Sequence, residues 1–200
     1  EADGYVHSRG DGSLFTSLRG VVCHDVDLKT FEYADQRGRY NRSPLKAGFI
    51  VLPDNDADST DSKDMAVGRA HLIWQDQNFE AVDNIIKYGE AHNWTMCEAD
   101  NVSSQISKCQ WSLGLIKIHY DMRDKLRGLP LKTYEEKKDE ITPMLDPSNQ
   151  TDGLGLRGIF PVNTGFLAHL DVLMVLLRGK VYGAIDDFDL GLLKEQRDRQ

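Results

Sequence analysis

Apolar residues recur at helical spacing through most of the chain beyond residue 62. Between Phe79 and His92, Val82, Ile85, Ile86 and Gly89 fall on one face of a 3.6-residue repeat. Asp64 to Gln75 carries the same kind of spacing. A longer pattern, Val102, Ile106, Cys109, Leu113, Ile116 and Tyr120, steps by four and three. It predicts a helix from Asn101 to Arg127, ended by Gly128 and Pro130. Thr133 and Glu136 have capping-box spacing and predict a helix start, with Pro143 and Pro147 closing that helix. Phe166 to Leu177 reads as a buried helix, and a last helix is expected near Leu190 to Arg197.

The first quarter follows a different pattern. Residues 1–17 are rich in turn formers and read as a flexible or extended arm. Val21, Val22, Cys23 and Val26 favour a pleated surface and predict a strand from Leu18 to Val26. Ala47 to Leu52 is a second strand, stopped by Pro53. Ile159 to Val162 and Val181 to Ile185 are further short strand candidates. The expected fold class is therefore α+β, mainly helical from residue 62 onward with a minor β component near 18–52. A mixed α/β sheet is the alternative. The whole chain, 1–200, is expected to be a single domain.

Composition narrows the function classes. The chain has 200 residues, 40% of them hydrophobic, enough for a sizeable core. Its formal net charge is −8, and its basic stretches are short and interrupted. Nucleic acid is thus not an expected partner, because phosphate binding needs clustered Lys and Arg. The most apolar run, Gly165 to Leu177, contains His169 and Asp171 and falls short of the ~20 residues a bilayer requires. No membrane span is expected.

Four of the eight asparagines, Asn41, Asn93, Asn101 and Asn149, stand in N-x-S/T sequons, against about one expected by chance. All four fall at expected loops or helix ends, as a glycan requires. They point to an extracellular or secretory location, with virion or cytoplasm as the alternative. Cys97 and Cys109 can bridge if a turn separates them, and cannot if one helix runs through both. Arg9-Gly10-Asp11 matches the integrin-binding tripeptide in a turn-rich segment.

The acidic loop from Asp54 to Asp64 is the main candidate for chemistry. It is not an EF-hand: Ser59 stands where that loop needs Gly, and Met65 where it needs Glu. Asp56-x-Asp58-x-Thr60 resembles the nucleophile motif of haloacid-dehalogenase-type phosphohydrolases. The resemblance implies Asp56 as nucleophile and Asp58 as general acid/base. It further implies Thr164 in the Ser/Thr position, and Asp186 and Asp187 with Asp56 and Asp58 around a magnesium ion. Pro53, Asp54 and Asn55 set Asp56 off the strand tip, where that family keeps its nucleophile. No lysine but Lys180 lies between Thr164 and Asp186.

These features give no coherent catalytic set. The expected function is a non-enzymatic structural or interaction protein, exported, working through protein partners or self-association. Its setting is a larger assembly such as a viral particle or filament. The alternative is a metal-dependent phosphoester hydrolase built on the clustered aspartates, with magnesium as cofactor in that case alone.

Overall fold

The computed structural model describes residues 5–6, 12–43, 62–96, 109–153, 165–185 and 191. The described residues are 65% helical with 3% strand. That strand content is two isolated antiparallel bridges, Glu32 with Tyr40 and Thr95 with Gln110, and there is no sheet among the described residues. The α+β expectation and its mixed-sheet alternative are both corrected to a mainly helical fold.

Local packing explains the correction. The predicted strand Leu18–Val26 is for the most part helix α1, Gly12–Cys23. The buried face of α1 combines small and polar residues, with Ser13, Ser17 and Gly20 at helical spacing, and Leu14, with Leu18 and Val21 packed against the core beside it. It seats on α2, Lys63–Gln75. A Cβ added at Gly68 would lie 2.8 Å from the Leu14 side chain and 3.0 Å from its carbonyl oxygen, so the two backbones meet directly. That close packing overrides the β preference of Val21 and Val22. Residues 12–17, expected in the arm, belong to α1.

Helix α2 turns back into α3, Phe79–Ala91, where Asn78 Oδ1 accepts from the Ala81 N–H at 3.0 Å. Helix α4 spans Leu113–Leu126 and starts at Ser112, well after the predicted Asn101. The reason is a neck in the chain: Met96 N–H donates to Cys109 O at 3.2 Å and Trp111 N–H donates to Trp94 O at 2.9 Å. Cys109 is disulfide-bonded and Cys23 is a free thiol. With three cysteines in the chain, Cys97 is the remaining thiol able to pair with Cys109 within it.

Helix α5 is Thr133–Ile141. Thr133 does not cap it as the sequence suggests. Its N–H and Oγ1 donate instead to the Asp124 carboxylate, at 3.1 and 2.8 Å. Helix α6, Gly165–Tyr182, runs on through Val181 and Tyr182, where a strand was expected. The strands expected at 47–52 and 159–162 lie outside the described residues, as does the helix expected at 190–197 apart from Gly191.

Helix α2 is the centre of the molecule, touching α1, α3, α4 and α6. Every residue from Lys63 to Ile73 is buried. Beside it, Trp94 fills the notch left by Gly89, where a Cβ would stand 2.4 Å from the indole ring. Trp111 and Tyr120 close around Trp94, with ring centroids 6.2 and 5.6 Å away. Among the described residues, no helix is long and apolar enough to cross a membrane.

Candidate functional site

The carboxylates and hydroxyl singled out from the sequence, Asp56, Asp58, Thr164, Asp186 and Asp187, lie outside the described residues, as do Asn101 and Arg9-Gly10-Asp11. The other three sequon asparagines have different surroundings. Asn93 is exposed, in a turn with φ +50°. Asn41 is buried and donates to the Tyr33 hydroxyl at 2.9 Å. Asn149 is fully buried, with Lys63 Nζ donating to its Oδ1 and its Nδ2 donating to Gln110 Oε1 at 3.3 Å. A glycan on Asn41 or Asn149 needs an amide that the fold encloses.

The charged groups that the fold gathers are ones the sequence pattern did not single out. Lys63, Asp64, Arg69 and His71 are all buried on α2. Burial pulls the Lys63 ammonium down to about 8, against the opposing pull of Asp146. Gln110 completes this network: its amide donates to Asn93 O and Met144 O, and its Oε1 accepts from the Asp146 N–H. Arg69 lies over the Tyr40 ring at 4.4 Å and donates to Ser13 Oγ at 3.2 Å, which ties α1 to α2.

A second cluster joins α4, α5 and α6. Asp121 is buried; its Oδ2 accepts from Lys117 Nζ at 2.7 Å and from the Tyr182 hydroxyl at 2.6 Å. Lys117 stands over the rings of Tyr134 and Tyr182, at 5.2 and 5.8 Å. Asp121 Oδ1 and the Tyr134 hydroxyl are buried without a hydrogen-bond partner. The Tyr134 phenol is pushed up by burial and by Asp152, Glu135 and Asp121 nearby. Both atoms are closed to solvent, so proton exchange with a substrate would require the helices to part. The arrangement is a cross-link between three helices.

Two histidines are buried in neutral form. His119 Nδ1–H donates to Leu115 O at 2.8 Å, its ring packs on Trp111, and its Nε2 has no partner. His71 Nε2–H donates to Leu173 O at 2.9 Å and holds α6 to α2. Desolvation pulls both down to about 4; the backbone hydrogen bonds oppose that shift, while Arg69 adds to it at His119 and Lys180 at His71.

A cleft of about 50 Å³ lies between the 27–40 loop and the start of α3, lined by Asp27, Glu32, Tyr40, Asn78, Glu80 and Asn84 among others. It has room for a few waters. Its acids serve local structure. Asp27 accepts from Lys29 N–H, Glu32 from Gly38 N–H, and Glu80 pairs with Arg37. Among the described residues, no three His, Cys, Asp or Glu side chains are grouped to hold a metal.

The outer face of α1 is of a different kind. Phe15 and Val22 stand two turns apart on one side and are 44% and 78% exposed. Arg19 lies between them and is held by a bidentate pair to Asp25 at 2.8 and 2.7 Å. No family model matches this chain, and no curated protein or solved structure is significantly similar to it.

Proposed function

We propose that this protein is an exported, non-enzymatic structural or interaction protein that self-associates as a subunit of a larger assembly. The observation that carries this reading is the outer face of α1. Val22 is a β-branched apolar residue placed almost wholly in water on an ordered helix, with Phe15 on the same side. Such a stripe is self-complementary: two α1 helices packed antiparallel about a two-fold axis set Phe15 of each copy against Val22 of the other. The buried polar groups support the reading from the other direction, since those of α2 and α4 are spent largely on joining helices.

Export rests on separate support. A disulfide at Cys109 persists where thiols are not kept reduced. Asn93 of the sequon is exposed in a turn, as a glycan requires. The test of the surface is Val22→Glu, measured by sedimentation velocity. The variant is expected to lose the assembled species while keeping the melting temperature of the parent monomer. An assembly that survives the charge unchanged overturns α1 as its contact.

A further inference from the structure

The loop between α4 and α5 carries two exposed leucines, Leu129 and Leu131, two positions apart. Gly128, at φ +68°, turns the chain out of α4, and Leu129 N–H donates back to Asp124 O at 2.8 Å. On the far side, the Asp124 carboxylate takes both the N–H and the hydroxyl of Thr133. Asp124 is buried, so one residue pins both ends of the loop. Between those anchors Leu129 is 49% and Leu131 36% exposed, with Pro130 also in solvent. Nothing lies within 4 Å of the position a Cβ would take at Gly128, so the turn into this tip is open on that side. The leucines are held outward by an ordered base.

The tip is also basic in a chain of net charge −8. Lys125, Arg127 and Lys132 flank the two leucines. Arg127 packs its guanidinium over the Phe79 ring at 4.5 Å and lies 3.8 Å from Asp83. Lys132 pairs with Glu136 at 3.3 Å, and Glu135 is 3.6 Å from Lys117, so cations face the first acids of α5. A tip of two leucines offers far less than the ~800 Å² per partner of a standard protein interface. A bilayer imposes no shape of its own and takes such a wedge into its interfacial zone, where basic flanks meet anionic headgroups.

We propose that residues 127–132 form a membrane-docking tip. Leu129 and Leu131 enter the interfacial layer of an anionic bilayer, and Lys125, with Lys132 released from its exposed pair to Glu136, contacts its headgroups. This is peripheral and reversible attachment, independent of the α1 surface. The experiment is co-sedimentation of the full chain with vesicles of phosphatidylcholine and phosphatidylserine, against phosphatidylcholine alone.

The wild type is expected to pellet with the anionic vesicles and to be released by high salt. Leu129→Ser with Leu131→Ser is expected to weaken that binding by about tenfold or more, since each leucine loses apolar transfer energy. Lys132→Glu is expected to weaken it with the leucines intact. Both leucines are exposed, and an unchanged circular dichroism spectrum and melting curve show that the variants fold. Failure of the wild type to bind, equal binding to both vesicles, or full binding by the double serine variant overturns the proposal.

Discussion

Lys63 and Asn149, 86 positions apart, meet inside the protein with the ammonium donating to the amide oxygen and neither side chain reaching solvent. The pair fastens the loop after α5 to the start of α2. It also occupies an asparagine that the sequence marks as a glycan acceptor. Glycopeptide mapping of protein from its native source is expected to find Asn93 modified and the Asn41 and Asn149 peptides bare. A glycan on Asn149 would show that this amide is not enclosed in the native protein.

Acid should loosen the protein through its histidines. His71 and His119 are held at about 4 in the fold, below the ordinary imidazole value of about 6.5. A depressed value means the unfolded chain binds more protons between these limits. Stability from each is therefore full above about 6.5 and is lost as pH falls toward 4, by roughly 3 kcal/mol per group. His119→Leu keeps an apolar side chain against Trp111 and removes one of the two buried imidazoles. Urea denaturation at pH 7 and pH 4.5 is expected to show a smaller acid loss in the variant. An identical loss in both proteins would contradict the assignment of His119.

The carboxylate of Asp121 ties α4 to α6, so its partners should be energetically coupled. Tyr182→Phe is expected to cost about 1–2 kcal/mol, because it removes a hydrogen bond to a charged group. Asp121→Asn is expected to cost somewhat more, since Lys117 then loses its buried counter-ion while keeping part of its solvent contact. In a double-mutant cycle the two changes should fall short of additivity by more than about 0.5 kcal/mol. Strict additivity would mean that Tyr182 and Asp121 do not interact in solution.

The disulfide at Cys109 predicts a thiol count. The denatured, unreduced chain is expected to react with one equivalent of a thiol reagent, at Cys23, and with three after reduction. Cys109→Ser is expected to destabilise the fold by about 3 kcal/mol, as opening a loop of this size does in the chain-entropy account. Three reactive thiols before reduction would remove both the bridge and the support it lends to export.

Where apolar periodicity and burial coincide, the fold was legible. Val82, Ile85 and Ile86 marked α3, and the apolar run after Phe166 marked α6. Helix α1 was hidden because Ser13, Ser17 and Gly20 share its buried face with Leu14 and dilute the apolar signal, while Val21, Val22, Cys23 and Val26 argued for a strand. The start of α4 was hidden because Val102 and Ile106 continue its period across the neck at Thr95 and Gln110, which only the tertiary pairing reveals. The polar clusters were illegible for a related reason. Lys63, Arg69 and Asp121 look like solvated positions on their own helices, and their partners Asn149, Tyr40 and Tyr182 are remote in sequence. Only the i,i+4 spacing of Lys117 and Asp121 offered a local hint. The candidate aspartates near residues 56 and 186 lie outside the described residues.

The central claim is self-association, and the mass of the disulfide-intact wild type in solution tests it most directly. Multi-angle light scattering across a dilution series is expected to give a mass above the 22.6 kDa of one chain, approaching a whole multiple as concentration rises. A constant 22.6 kDa at every concentration would contradict it.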